Sequence, residues 1–238
     1  MTDMRRAAGL LCVLLAACQP QPVPDTSAPQ PPPSQASADW PPVAYQADDA
    51  HTWRVQPGDS RVDLVVRRAG PLARFGHDHV LSTTAVEGWL RWNPEAPGSA
   101  HGDLRVAVAE LDVDAPAARA RHDVDGDPSA DDIQDTRENL QREVLRAGQW
   151  PHVIVRLGPA ERADGHWRVT TRVVLNGQAA DYEVPVSIET DGRTLVAAGT
   201  FDVLQSRHGI EPFSVLGGSL SVADAVTVVF DLRAEGQP

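Results

Sequence analysis

The feature that most restricts the fold of this chain is an alternation of apolar and polar residues with a period of two. It recurs from about residue 51 to the C-terminus. Successive side chains of a β-strand point to opposite faces, so this alternation predicts half-buried strands. The clearest case is residues 167 to 175, which lead into Asn176-Gly177, after which residues 182 to 188 resume the alternation. Asn-Gly is a strong hairpin signal because both central residues of the turn have positive φ.

The same reasoning predicts further strands along the domain. Asp164-Gly165 and Asp191-Gly192 are expected to be turns, and a bulge is expected near Ala109-Glu110, where the apolar parity changes. The predicted strands cover residues 53–56, 61–68, 80–92, 104–108, 111–113, 167–175, 182–188 and 195–203, followed by a final strand pair at 219–222 and 226–232.

One helix interrupts the strands. Ser129 is a suitable N-cap, acidic residues follow it in the first turn, and Gly148 is expected to end the helix. Its apolar stripe consists of Ile133, Leu140 and Val144. Many antiparallel strands, a single short α-helix and no β-α-β alternation predict a mainly all-β fold, an up-and-down antiparallel barrel or a sandwich of eight or more strands. A barrel of about eight strands is the size whose interior can hold one small ligand.

The first residues read as an export signal. Arg5 and Arg6 precede an apolar stretch at residues 7–17, and Leu15-Ala16-Ala17-Cys18 resembles a bacterial lipobox. We therefore expect a lipoprotein signal peptide at residues 1–17 and lipid attachment at Cys18, with an ordinary signal peptide as the alternative. Gln19 stands where lipoproteins kept at the inner membrane often carry Asp, which favours the outer membrane, with the domain facing the periplasm.

Residues 18–50 are predicted to be a tether between the lipidated cysteine and the domain at 51–238. Nine prolines fall within residues 19–42, and few apolar side chains accompany them. Proline removes backbone donors and favours the extended polyproline II conformation, so this stretch predicts a semi-stiff spacer with no core.

Charge and motif content exclude several classes of function. The formal net charge is −12 at pH 7, so a nucleic-acid partner held by phosphate contacts is not expected. No Gly-x-Ser-x-Gly elbow occurs, and Cys12 and Cys18 are the chain's two cysteines, so we expect no enzymatic activity and no cofactor. Whether two barrels pair as a homodimer stays open at this point.

Several short motifs, in their order along the chain, resemble those of the YceI-like family. They are Trp53-Arg54-Val55, Ser60-Arg61-Val62, Trp150-Pro151-His152-Val153-Ile154-Val155, the hairpin within residues 168–186, and Gly209-Ile210. The resemblance covers roughly residues 52–235. It implies a periplasmic lipocalin-like barrel that holds a polyisoprenoid or related amphipathic lipid. The chain departs from the family pattern at Asn176, where histidine is usual, in the long acidic region at 115–132, and at 144–149, which lacks the usual phenylalanines.

An apolar ligand needs continuous apolar walls. The apolar residues on the inward-facing side of the predicted strands are the candidates for these walls. The candidate lining residues are Leu104, Val106, Trp167, Val169, Val173, Val184, Val186, Phe201 and Phe230. The alternative is that these side chains fill the barrel completely, as in a structural lipoprotein. The chain has few aromatic residues and many small ones, which favours a cavity.

A second constellation is Phe75-Gly76-His77-Asp78-His79, which we expect near the barrel opening together with His208. In a strand, His77 and His79 would share one face. These residues then decorate the opening and contact the lipid head group. The alternative is a metal site formed by His77, His79 and His208, with Asp78 or Asp181 as a carboxylate ligand.

Overall fold

The computed structural model describes residues 51–236, and β-strands account for most of them. The strands are β1 (Thr52–Val55), β2 (Arg61–Ala69), β3 (His79–Thr83), β4 (Val86–Arg91), β5 (His101–Ala107), β6 (Asp112–Val113), β7 (His152–Ala163), β8 (His166–Leu175), β9 (Gln178–Thr190), β10 (Thr194–Leu204), β11 (Ser214–Val215) and β12 (Leu220–Gly236). The predicted signal peptide, Cys18 and the tether lie outside the described residues.

Eight strands close into an antiparallel barrel in the order β1-β4-β5-β7-β8-β9-β10-β12, with β12 pairing back onto β1. β12 also pairs with β2, which in turn pairs with β3, so that β2 and β3 complete the wall beside β1 and β4. The predicted antiparallel barrel is therefore confirmed. Closure leaves the ring without a free edge, which removes the usual liability of an open sheet.

Local turn chemistry explains the hairpins. Asn176 and Gly177 have φ of 49° and 72°, and they join β8 to β9 with Leu175 opposite Gln178. Asp164 and Gly165, with φ of 46° and 85°, join β7 to β8 in the same way. Both pairs have the two positive φ values that a tight two-residue hairpin requires, as the sequence predicted.

β7 and β11 are not among the predicted strands, and three further parts of the wall differ from the prediction. The strand expected at residues 80–92 is two strands, β3 and β4, and the cavity-facing parity changes from odd to even between Thr83 and Val86. The bulge expected near Ala109-Glu110 is a 3-10 turn at Val108–Glu110. The final strand pair is one continuous strand, β12, with an irregularity between Val222 and Val226. In each case the chain bends to follow the closed wall.

Two helices lie between β6 and β7. The predicted one is α2 (Ala130–Asn139), which continues as a π-helical segment, Leu140–Val144. Ser129 forms a capping box, because its Oγ accepts from the N–H of Asp132 while the Asp132 carboxylate accepts from the N–H of Ser129. The other helix, α1 (Pro116–Arg121), was not predicted. No helix among residues 51–236 is long and apolar enough to cross a membrane.

Candidate functional site

The barrel encloses a cavity of about 380 Å³. Its wall is built from the inward parity of the strands, including Leu64 on β2, Leu157 on β7 and Ala197 on β10. Protein interiors are normally packed without voids much larger than a water molecule. An apolar cavity of about 150 Å³ already stays dry and binds benzene, so this space is large enough for a hydrocarbon ligand.

Most of the apolar residues predicted to line a cavity do line it. They are Leu104, Val106, Val169, Val173, Val184, Val186, Phe201 and Phe230. Trp167 does not; its ring lies edge-on to Trp92, with centroids 4.8 Å apart, and Trp92 lines the cavity instead. The cavity of about 380 Å³ also argues against the alternative of a barrel that side chains fill completely.

One end of the barrel is closed by indole rings, and we call it the tryptophan end, defined by Trp53, Trp92 and Trp167. Trp53 and Trp92 are buried, and Trp53 Nε1 donates to the carbonyl of Trp92 at 3.3 Å. Leu195 and Ala234 pack in the same core cluster. Apolar groups are therefore tightly packed at this end, where the half-buried Arg91 and His101 also line the cavity.

The opposite end, which we call the helix end, is covered by α2 and its π-helical extension. Leu140 and Val144 line the cavity and pack in a cluster with Leu175 from β8. Asn176 Nδ2 donates to the carbonyl of Val144 at 2.7 Å, so the β8–β9 turn holds the end of the helical segment. Asparagine at this position, unusual for the resembled family, thus fastens the cover of the cavity.

Two further residues of α2, Thr136 and Asn139, line the cavity although the sequence analysis did not select them. They bring a hydroxyl and an amide to a wall that is mostly apolar. The signal that could have found them is helical spacing: 136, 139, 140 and 144 recur at intervals of three and four and share one face of a helix. The predicted apolar stripe contained Leu140 and Val144 of this face and left out its polar members.

His79 connects the cavity to a buried ionic group. It lines the cavity, and its Nδ1 is 2.6 Å from Oδ2 of Asp114. Asp114 also accepts from the N–H of Val80 and from Arg119 Nη1 at 2.7 Å. Burial by itself raises the pKa of Asp114, but the hydrogen bonds from His79, Val80 and Arg119 outweigh it and lower the pKa. Asp114 is therefore ionised at neutral pH and orders the imidazole.

A second buried carboxylate fastens α1 to the outside of the wall. Asp63 on β2 accepts from Arg121 Nη2 at 3.0 Å and lies 2.8 Å from Nε2 of His122. Burial opposes its ionisation, and the bonds from Arg121 and His122 lower its pKa overall. Val65 and Ala118 pack beside it. The first part of the acidic region at 115–132 therefore forms α1, which packs across β2 and β3.

His208 is not exposed at the opening, where we had expected it. It is 0% exposed, and its ring stacks on Tyr182 with centroids 6.0 Å apart. Nδ1 is 3.0 Å from the carbonyl of Gln178, so Nδ1 carries the proton and donates. Nε2 then accepts from the Tyr182 hydroxyl, also at 3.0 Å. Burial lowers the pKa of His208, so the ring is neutral and structural.

The three histidines of the alternative metal site are not brought together. Among residues 51–236, no three His, Cys, Asp or Glu side chains are grouped as a metal ion would require. Asp78 accepts from Arg67 and from the N–H of Arg68, and Asp181 accepts twice from Arg172. Within the described chain both candidate carboxylates are thus committed to arginine.

Phe75 and His77 lie on the loop between β2 and β3, outside the cavity. Phe75 does not line the cavity; it is 64% exposed, with the guanidinium of Arg74 4.5 Å from its ring centre. His77 is exposed as well. Phe213, which the sequence analysis did not select, both lines the cavity and is 46% exposed.

Comparison with known proteins finds a matching family model and solved structures of similar fold. The model of the YceI-like domain matches residues 53–234. The BcnA structure from Burkholderia cenocepacia is similar with a TM-score of 0.57 at 17% identity, covering 75% of this chain and 98% of that one. A polyisoprenoid binding domain from Saccharophagus degradans, implicated in plant cell wall breakdown, gives 0.53 at 10% identity, covering 78% and 98%. No curated protein matches the chain.

Proposed function

Because the chain belongs to the family of YceI-like domains, we propose that its barrel binds a polyisoprenoid or a related amphipathic lipid and carries out no chemistry on it. The polyisoprenoid binding domain from Saccharophagus degradans supports the ligand class, since it shares the fold. At 10% identity the similarity shows the fold alone. The proposal of a lipid ligand therefore depends on the cavity of this chain.

The observation that carries the proposal is the wall of the cavity. It extends from Trp92 at the tryptophan end to Leu140 and Phe213 at the helix end, and most of the side chains between them are apolar. A volume of about 380 Å³ falls within the range of about 300–1,000 Å³ typical of small-molecule sites. A prenyl chain has no polar atoms to satisfy, so burial of its surface at about 25 cal/mol per Å² drives binding.

The polar residues of the cavity indicate how the ligand is oriented. Thr136 and Asn139 are contributed by α2, and His79 lies at the start of β3. All three are at the helix end, and Arg91 and His101 line the opposite end beside Trp92. We infer that the head group of the lipid lies beside α2, where Thr136 and Asn139 offer a hydroxyl and an amide.

Lipid extraction from the purified full chain, followed by mass spectrometry, tests the proposal. A prenyl lipid should be recovered in stoichiometric amount and chemically unchanged. The matched variants are Ala197→Phe and Ala198→Phe. Ala197 lines the cavity and its neighbour Ala198 on β10 does not. Ala197→Phe should therefore lower the lipid content about tenfold, because one ring occupies the space of several methylene groups, each of which contributes about 0.8 kcal/mol.

Two results would contradict the proposal. One is a barrel that carries no lipid and rejects added polyprenyl lipid. The other is equal lipid content in the Ala197→Phe and Ala198→Phe proteins, which would place the bound lipid outside the cavity.

We also propose that the protein is a lipoprotein, acylated at Cys18 and facing the periplasm from the outer membrane. The sequence supports this through the lipobox-like Leu15-Ala16-Ala17-Cys18 and through Gln19. Several acyl chains hold a protein on a bilayer that one chain would leave. Mass spectrometry of the N-terminal peptide should show acyl groups on Cys18, and Cys18→Ala should release the protein from the membrane fraction. An unmodified Cys18 in the membrane-bound protein would contradict the proposal.

A further inference from the structure

Among the side chains whose burial the structure describes, the exposed large apolar ones are confined to one region. They are Phe75 at 64% exposure, Phe213 at 46% and Val215 at 39%. Scattered exposed apolar residues are ordinary, but a group of them marks a surface that meets another apolar phase or partner. The rest of the described chain buries or half-buries its large apolar side chains.

Contacts with the first residues of β12 place the three residues on neighbouring segments. The N–H of Val222 donates to the carbonyl of Phe213 at 2.9 Å, and Val222 is paired with Arg68 across β12 and β2. Val215 is paired with Leu220. A Cβ placed on Gly76 would lie 2.8 Å from Cδ1 of Leu220, so the Phe75 loop rests against the same stretch of β12.

Three arginines stand beside this apolar group. Arg67 and Arg68 are exposed at the end of β2, and Arg74 lies over the Phe75 ring. Asp78 pairs with Arg67 at 2.9 Å and with Arg68 at 3.7 Å, and Glu211 is exposed two residues before Phe213. Three arginines against these two carboxylates leave a small excess of positive charge. The chain as a whole has a formal charge of −12, so this is a small basic region on an acidic protein.

Aromatic side chains with arginines around them suit the surface of a phospholipid bilayer. Rings are buried at the boundary between head groups and acyl chains, and arginine guanidinium groups bind lipid phosphates through two hydrogen bonds. Phe213 belongs to the cavity wall as well as to the surface. A bilayer bound here would meet the barrel at the border of its cavity.

We propose that Phe75, Phe213 and Val215, with Arg67, Arg68 and Arg74 beside them, form a docking surface for a phospholipid bilayer. The inference rests on the proposed function, because a lipid ligand of the barrel resides in a membrane and must pass between the two. It adds the route: lipid leaves the bilayer next to Phe213 and enters the barrel at the helix end.

The acidic residues of α2 determine how the barrel is tilted on the membrane. Asp131, Asp132, Asp135 and Glu138 are exposed on α2, at the same end of the barrel as the docking surface. Carboxylates are repelled by anionic lipid head groups. The barrel therefore lies on its Phe75 side, with α2 turned toward water.

Photo-crosslinking in membranes of cells that produce the full chain tests this surface. The result does not depend on how the chain is anchored, because only a probe that contacts lipid forms a crosslink. Benzoylphenylalanine is placed at Phe75 or Phe213, and, as a control, at Arg193 in the turn of the tryptophan end. We expect crosslinks to phospholipid at positions 75 and 213, at a yield about tenfold above that at position 193, as burial of an aromatic ring in the bilayer implies.

A pair of charge changes provides the matched control. Arg74→Glu should lower the phospholipid crosslink at position 75 severalfold, whereas Arg142→Glu, an exposed arginine beside α2 that is not part of the docking surface, should leave it unchanged. Equal effects would mean that only net charge matters and would overturn the assignment of this surface.

Other occupants of the surface give different products. Crosslinks from position 75 to another protein, or to a second copy of this chain, would overturn the proposal, as would equal phospholipid yields at positions 75 and 193. Lipid content of the barrel is measured in the same samples. A loaded barrel without crosslinks refutes only the docking surface, and an empty barrel with crosslinks refutes only the proposed ligand.

Discussion

The two ends of the barrel are held by different chemistry. At the tryptophan end, Trp53, Trp92 and Trp167 pack with aliphatic neighbours, and Trp53 Nε1 donates to the Trp92 carbonyl. At the helix end, buried polar side chains join neighbouring elements: Asp114 bonds His79 and Arg119, and His208 bonds Tyr182 and Gln178. The first end is held mainly by apolar packing, whereas the second also depends on buried polar networks.

The difference indicates which end works as the entrance. Apolar packing has no titrating groups, whereas buried polar networks are strong when complete and costly when one partner changes. Loss of one polar partner should therefore loosen the helix end more readily than the tryptophan end. The following experiments separate these contributions, in order of the effect that we expect.

Trp92→Ala should have the largest effect. Truncating a buried tryptophan costs about 3–5 kcal/mol, because the removed ring leaves a cavity as well as lost contacts. Trp89→Ala is the matched control, since Trp89 is on β4, is only half-buried and lies under Arg54 on the outer side. Urea unfolding of the lipid-free proteins measures both. A similar loss for the two variants would show that the tryptophan end is not a specially packed seal.

Asp114→Asn should cost about 3 kcal/mol of unfolding free energy, since it leaves the buried guanidinium of Arg119 without its counter-charge. Asparagine tolerates the positive φ of 54° found at this position, so the change removes charge without straining the backbone. Asp112→Asn, an exposed position two residues earlier, is the control. Stability unaffected by Asp114→Asn would mean that the ionic group does not hold the helix end.

Stability should also depend on pH through His208. Its folded-state pKa is lowered by burial, so the unfolded state binds a proton more readily and unfolding becomes easier as pH falls below about 6.5. His152, whose pKa burial also lowers, adds to the same trend. His208→Gln should reduce the slope between about pH 6.5 and pH 5. An unchanged slope would show that His208 is not the group responsible.

The carboxylates act in a lower pH range. The pKa values of Asp63, Asp78 and Asp114 lie below the ordinary value, so their contribution is complete above about pH 4 and is lost as pH falls further. Thermal unfolding across both ranges separates the histidines from the carboxylates. In Asp114→Asn the loss below about pH 4 should become smaller.

The smallest effect concerns the contact between the β8–β9 turn and the helical cover. Asn176→Ala removes the hydrogen bond to the Val144 carbonyl and also places alanine at positive φ. Asp164→Ala places alanine at nearly the same φ in the β7–β8 turn, which does not touch α2. The difference between the two variants should be about 1 kcal/mol, the usual net value of one hydrogen bond. Equal losses would assign the whole effect to the turns.

Much of the fold could be predicted because the signals were local. Asn176-Gly177 and Asp164-Gly165 require backbone angles that only a tight turn provides, and the capping box at Ser129 depends on residues three apart. By contrast, the break between β3 and β4 and the continuity of β12 depend on how a closed wall must bend. No short window of sequence contains that constraint, and α1 forms where Asp63 on a distant strand binds it.

The candidate site divides in the same way. Parity along a strand determines which side chains face inward, so residues such as Val184 and Phe201 could be chosen from sequence alone. Trp167 has the correct parity, but its height along the barrel places it against Trp92 and away from the cavity. His208 was expected at the opening because histidine is usually polar surface; its burial depends on Tyr182 and Gln178, which only the fold brings near.

The pairing of β12 has a consequence for biogenesis. This strand closes the ring against β1 and β2 on one side and β10 on the other, and it is the last strand of the domain. Until residue 236 has left the ribosome, the nascent sheet has two unprotected margins and no enclosed interior. The cavity therefore comes into existence only when synthesis of the domain is complete, and any chaperone that guards the unfinished sheet has to dissociate before the ring can close.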